Sequence, residues 1–272
     1  MLDSSLITHA QRYPSPHPQI TLFRISYKSE GLTVKGLLAI PKNSGKDMLP
    51  GFLYLRGGIK KVGMVRVPRI IQLASQGFVV IAPFYRGNEG GEGREDFCGE
   101  DRQDAFHAFQ VLRSLSIVDH DQLHIFGFSR GGPMAFFTAL KYPEARSVVI
   151  WGGVSDMALT YEERVDLRKM MKRVIGGTPS KVPEGYRTRS PVHYCEGLTV
   201  PLLLIHGCKD ENVSITHSLV LKECLDPKGM VETWFYPQYT HHFPPQENRK
   251  ITFAFCEWMK TRNKEKPELS PL

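Results

Sequence analysis

Short, nearly continuous apolar runs recur along this chain, separated by segments whose apolar residues fall three and four positions apart. Residues 51–55, 78–83, 123–128, 148–151 and 201–206 lack the alternation of a strand with one wet face. They read as strands of a parallel sheet buried on both sides. Between them, residues 67–76, 101–115 and 132–142 read as helices. In the second, Ala105, Phe109 and Leu112 recur at helical spacing with Phe106 beside them. This β-α-β rhythm predicts an α/β protein with helices on both faces of a mostly parallel sheet. Ahead of it, residues 20–27 and 32–40 alternate and meet at a turn over 29–31, which predicts a hairpin. A helix over 214–225, a strand over 231–236 and a helix over 246–260 close the series. The polar lead with Pro14, Pro16 and Pro18 is assigned no element.

The interval between the strands at 148–151 and 201–206 is about fifty residues, far longer than an ordinary connection. Residues 155–193 read as an insertion within one domain spanning 1–272. It holds a charged helical segment, 161–174, whose apolar side would be Val165, Leu167, Met171 and Val174, and a Gly/Pro-rich stretch, 176–191. A lid over the functional site and an elongated crossover are both compatible with that pattern. The tail, 263–272, is expected to fray.

Composition narrows the class. With 272 residues, 41% hydrophobic and 23% charged, the chain has the make-up of a globular domain and not of a disordered or fibrous one. The net charge of +7 comes from scattered Lys and Arg, so solvated helix faces explain it better than a nucleic-acid partner. The five cysteines are odd in number and lack C-x-x-C spacing, which predicts neither a disulfide framework nor a zinc site and favours a reducing compartment. No signal-peptide pattern opens the chain and no apolar run is long enough to span a bilayer, so a cytoplasmic address and no membrane partner are expected.

Candidate chemistry centres on Gly127-Phe128-Ser129-Arg130-Gly131, which follows an apolar strand and opens a helix. A G-x-S-x-G sequence in that context predicts a nucleophile elbow. Ser129 would sit in a strained turn at a helix N-terminus, with glycines where a Cβ would clash. A serine nucleophile needs a basic imidazole and an orienting carboxylate. In the α/β-hydrolase fold these follow in the order Ser, Asp or Glu, His, on loops beyond later strands. Asp210 lies just past the strand at 201–206, and His241 and His242 lie past the strand at 231–236. Position alone does not choose between the two histidines. Asp210 or Asn212 could instead cap the following helix, Asp156 is a second candidate acid, and His206 reads as support for its loop. Oxyanion donors are expected from the N–H of Arg130 and from Gly57 or Gly58, in the loop after the strand at 51–55.

Several separate segments together resemble the catalytic domain of the prolyl oligopeptidase family of serine peptidases, over residues 20–262. They are Gly51 through Gly58, Tyr85 through Gly93, Gly127 through Gly132, Ser190-Pro191, Pro201 through Asp210 with Val213, and Tyr236 through Phe243. The resemblance implies an α/β-hydrolase fold, Ser129 as nucleophile, Asp210 as acid and His241 as base. Thr240 and His242 stand where that family commonly has glycines. It implies no metal or organic cofactor, and a small ester, amide or short peptide as substrate. The family's β-propeller gate is not expected here, since only residues up to Gln19 precede the first strand assigned. Arg56 stands where lipolytic esterases often carry histidine, which favours the peptidase-like branch. A stand-alone carboxylesterase and a non-catalytic binding protein on the same fold are the alternatives. A dienelactone-hydrolase-like enzyme would carry cysteine at the elbow.

Overall fold

The computed structural model describes residues 3–42 and 48–262. Among these, nine strands form one sheet: β1 (Ile7–Tyr13), β2 (Ile20–Ser29), β3 (Leu32–Pro41), β4 (Leu49–Leu55), β5 (Val79–Pro83), β6 (Val118–Phe128), β7 (Ser147–Trp151), β8 (Leu202–Gly207) and β9 (Val231–Tyr236). Their order is β1-β2-β3-β5-β4-β6-β7-β8-β9. The first three pair antiparallel, β3 pairs antiparallel with β5, and the six from β5 to β9 are mutually parallel. The fold is therefore α/β with a mostly parallel sheet, and the hairpin at 20–40 is present.

The buried strands send alternate residues to opposite faces, and each face has its own helices. Leu53, Ile125, Ile150 and Leu204 pack with α2 (Arg102–Arg113), α3 (Gly131–Lys141) and α7 (Thr216–Leu225). Phe52, Phe126, Trp151 and Ile205 pack with α1 (Val67–Ala74) and α8 (Pro245–Lys260). The Phe126 and Phe255 rings stack at 5.0 Å. Burying both faces is why these runs carry no polar alternation.

The connection from β4 leads outward to β5, and the next returns across β4 to β6. The strand order thus reverses between β4 and β6, the place where open α/β sheets bind ligands beyond their strands' carboxyl ends. Those ends are level: Leu55 pairs with Gly127, Phe128 with Trp151, Trp151 with Ile205 and Gly207 with Tyr236.

Four expectations are corrected. The polar lead contains a strand, β1, whose residues after Ile7 are all exposed. A solvated edge strand has no buried face to impose alternation, and charged residues suit an edge because they discourage further pairing. The segment 161–174 is not one helix: α4 (Met157–Glu163) ends at Arg164, a 3-10 turn covers Val165–Leu167, and α5 (Arg168–Ile175) follows. Arg164 leaves helical geometry and its guanidinium grips the Asp166 carboxylate at 2.9 and 2.7 Å. In consequence Val165 is 69% exposed, whereas Met171 is buried. Finally, Cys195 and Cys224 form a disulfide across 29 positions. An odd cysteine count conceals a single pair that only chain folding brings together. Structural disulfides are rare where thiols are kept reduced, so the cysteines no longer argue for such a compartment. The tail, 263–272, lies outside the described residues. No helix of the described residues is long and apolar enough to cross a membrane.

His124, on β6, is fully buried; its Nδ1 meets the Ser147 hydroxyl at 2.8 Å and its ring meets the edge of Phe78. Burial pushes its pKa down from 6.5 to about 3. An imidazole with a depressed folded-state pKa takes its proton only on unfolding, so the stability it contributes is present at neutral pH and drains away as pH falls from 6.5 towards 3. Urea denaturation between pH 7 and pH 4 should show stability falling with acidification. In His124→Leu the fall should be shallower by up to one proton's slope, about 1.4 kcal/mol per pH unit.

Candidate active site

Ser129 follows the last residue of β6, with α3 starting two residues later. Its φ is +56°, a left-handed conformation rare for a residue with a side chain. Flanking contacts impose it. The Ser129 N–H donates to the Trp151 carbonyl at 3.0 Å, and the Ser129 carbonyl accepts from Gly132 at 2.8 Å and Val154 at 3.3 Å. At Gly127 a Cβ would collide with the Gly131 carbonyl. The glycine requirement expected of an elbow is thus met by close backbone packing.

The loop after β4 passes directly over this turn. A Cβ on Gly57 would lie 2.8 Å from Ser129 Cβ and 2.9 Å from the Phe128 carbonyl oxygen. Gly57, Gly58, Ser129, Arg130 and His241 line one cavity of about 350 Å³. The segment after β7 reaches it as well, through Thr160, Arg164 and Leu167.

His241, which lines the same cavity as Ser129, meets Asp210. His241 Nδ1 lies 2.6 Å from Asp210 Oδ2, and both residues are buried. Asp210 Oδ1 accepts the N–H groups of Asn212 and Val213, each at 2.9 Å, so the carboxylate orders its own loop with one oxygen and holds imidazole with the other. Burial pushes the Asp210 carboxyl up, but the contacts with His206 and His241 and the Val213 N–H outweigh it and hold its pKa well below the usual range. Asp210 is therefore an anion at any physiological pH, able only to accept, and a hydrogen on His241 Nδ1 follows. His206 lies 3.3 Å from Asp210 and bonds the Ser218 hydroxyl and the Val213 carbonyl, which is a supporting position. Asp156 caps α4, accepting from Ala158 and Leu159, and so is occupied elsewhere. His242 is exposed, and its ring packs against Phe128 at 5.6 Å.

Two structural supports are not evident in the sequence. Gly152, at φ +53°, lies beneath the acid-imidazole pair, where a Cβ would stand 3.3 Å from both Asp210 Oδ2 and His241 Nδ1. The other is a buried charge cluster under the elbow. Glu95 binds Arg56, Arg130 at 3.1 Å and the Lys60 N–H at 2.5 Å. Arg130 also meets Asp101 at 3.2 Å, and both guanidiniums stack on Tyr85 at about 5 Å. Arg56 additionally donates to the Gly57 carbonyl at 2.9 Å. Glu95 thereby ties the loop after β4 to the residue following Ser129. Its sequence context, a Gly-rich stretch dense in acids, does not distinguish a buried carboxylate from a solvated one.

A mostly parallel sheet carrying a serine turn at its switch point, with a carboxylate and an imidazole on the two later loops, defines an α/β-hydrolase. Residues 65–265 match the model of the prolyl oligopeptidase family. The chain is 60% identical over 259 residues to the Bacillus subtilis (strain 168) protein named uncharacterized peptidase YtmA, covering 94% of this chain and 100% of that one. It is 27% identical over 243 residues to dipeptidyl peptidase 8 of Homo sapiens, covering 82% of this chain and 26% of that protein. Among solved structures, acylaminoacyl peptidase of Pyrococcus horikoshii matches with a TM-score of 0.76 at 22% identity, over 94% of this chain and 44% of that one, a likeness of fold. This chain belongs to the prolyl oligopeptidase family and is a serine hydrolase.

Removing Glu95 leaves two buried guanidiniums short of an anion. Glu95→Ala should cost about 3–5 kcal/mol, the range for breaking a buried ion pair, read as a lower urea midpoint. Glu95→Gln, which keeps an acceptor, should lose less.

Proposed function

We propose that the protein cleaves amide or ester bonds of short acyl-peptide substrates through a covalent acyl-enzyme on Ser129. The observation that carries this reading is the 2.6 Å contact of buried Asp210 with His241, which lines the same cavity as Ser129. In this mechanism Ser129 Oγ attacks the carbonyl carbon while its proton passes to His241 Nε2. Asp210 fixes the imidazole tautomer and stabilises the imidazolium that forms. The developing oxyanion is met by the N–H of Arg130 and by the Gly57-Gly58 backbone. His241 then hands the proton to the leaving group, and water, activated by the same imidazole, releases the acyl group.

The peptide preference is supported by membership of the prolyl oligopeptidase family and by the peptidase names of the relatives above. A cavity of about 350 Å³ suits a small acyl group. We assign residues 155–193 as a lid within a single domain. The reading is supported by the contribution of Thr160, Arg164 and Leu167 to the cavity, and by the bonds of Arg164 to the Asn212 carbonyl at 3.0 Å and of Ser214 to Glu163 at 2.6 Å.

A fluorophosphonate should label Ser129, mapped by mass spectrometry; a label elsewhere on active protein rejects the assignment. Ser129→Ala should lower turnover by several orders of magnitude, on the scale of ~10⁶. His241→Ala should nearly abolish turnover while His242→Ala retains substantial activity, and the reverse ranking would move the base to His242. Leu167→Asn should shift the preference between short and long acyl groups more than it lowers the melting temperature. A panel of p-nitrophenyl esters and acyl-peptide amides separates peptidase from esterase: activity confined to the esters would replace the peptide reading.

A further inference from the structure

A second cavity, of about 500 Å³, adjoins the first. Gly57, Gly63, Arg66, Phe128, His241 and His242 line both, so the two are neighbours across the proposed base. Ser129, Arg130, Val154 and Thr160 line only the first; Tyr54, Arg69, Trp151 and Asn248 line only the second. The chamber beyond His241 therefore lies on the side of the group that gives the leaving group its proton.

Its chemistry is one-sided. No Asp or Glu is among the residues lining it, yet two arginines are. Arg69 is partly buried, and among the described residues its guanidinium bonds neutral acceptors: Gln72 Oε1 at 2.8 Å, Asn248 Oδ1 at 3.2 Å and Thr252 Oγ1 at 2.7 Å. It also lies over the rings of Phe126 at 5.6 Å and Trp151 at 6.0 Å. Arg66 is exposed at the shared boundary and makes no side-chain hydrogen bond or ion pair among the described residues. The buried indole N–H of Trp151 is unpartnered too. The other arginines near the elbow are treated differently, since Arg56 and Arg130 share carboxylates. A partly buried cation, Arg69, and an exposed one, Arg66, in a chamber lined by no carboxylate favour an anion from outside. Burial pushes the pKa of Arg69 down, the desolvation penalty of a guanidinium held out of water.

We propose that this chamber is a carboxylate subsite for the leaving-group side of the substrate, so that the enzyme favours peptides ending in a free C-terminus shortly after the scissile bond. The inference rests on the assignment of His241 as proton donor to the leaving group. The aromatic walls, Tyr54, Phe126 and Phe128, suit an apolar side chain beside that carboxylate.

The test compares glycylphenylalanine with its C-terminal amide by titration calorimetry against the whole protein, which needs no turnover. The free acid should bind roughly tenfold to hundredfold more tightly, the scale of a charge-assisted bond. Arg66→Gln should remove most of that preference and Arg69→Gln should reduce it. Arg173→Gln, an exposed cation outside this cavity, should leave it intact. The ratio of kcat/KM for acetylated tripeptides ending in acid and in amide should follow the same order. Equal binding of acid and amide, or a preference that survives Arg66→Gln, overturns the subsite. Equal loss in Arg173→Gln also overturns it, in favour of general charge attraction. If a fluorophosphonate fails to label Ser129 while the acid preference holds, the catalytic assignment fails and the anion site stands.

Discussion

A left-handed backbone at Ser129 is the constraint around which the rest of this molecule is arranged. Such a conformation costs on the order of 1–3 kcal/mol and persists only where the surroundings over-determine it. Here the surroundings are the ends of β6 and β7, the start of α3 and the loop after β4, all within hydrogen-bond or van der Waals reach. Parallel strands with level ends provide that rigidity, and the reversal of strand order between β4 and β6 provides the open crevice beside it. The hydroxyl is thus presented by rigid elements, while its partners arrive on loops.

Electrostatics divides those surroundings into two regions of opposite character. Beneath the elbow, Arg56, Glu95, Arg130 and Asp101 are all buried and mutually paired. Burial pushes the Asp101 carboxyl up and the Arg56 guanidinium down, which is the desolvation penalty such groups carry. The cluster is poor evidence of stability for its own sake, because hydrophobic replacements of buried ion pairs are often neutral or stabilising. Its structural consequence is registration: Glu95 holds the loop after β4 and the residue after Ser129 at a fixed separation. Beyond His241 the charges are instead unmatched, with Arg66 and Arg69 facing a chamber lined by no carboxylate.

The segment after β7 links this edge of the sheet to the Asp210 loop. Arg164 is the joint. It ends α4, grips Asp166, reaches the Asn212 carbonyl and lines the cavity. Met171 fixes the following helix in the core while Val165 points to solvent, so the apolar anchor of this segment is narrower than its composition suggests.

The sequence by itself determined the strands and helices of the α/β core, because burial on both faces leaves apolar runs and burial on one leaves helical spacing. It also determined the elbow at Ser129 and the chain order of Asp210 and the histidine pair, since strand-loop succession puts them on one edge. It left His241 and His242 equivalent until a family resemblance favoured one. Adjacent side chains diverge, and which of them meets a carboxylate depends on how β8 and β9 lie together. Asp210 was legible either as a cap of the following helix or as a partner; α7 begins at Thr216 with no side-chain cap, and Asp210 instead orders its own loop with one oxygen and meets His241 with the other. Tertiary structure alone decided the β1 edge strand, the Cys195–Cys224 pair, Gly152 beneath the imidazole, and which arginines are neutralised and which are not. Each depends on contacts between residues far apart in the chain, and local spacing records what a residue buries against its own element, not which distant charge it will face.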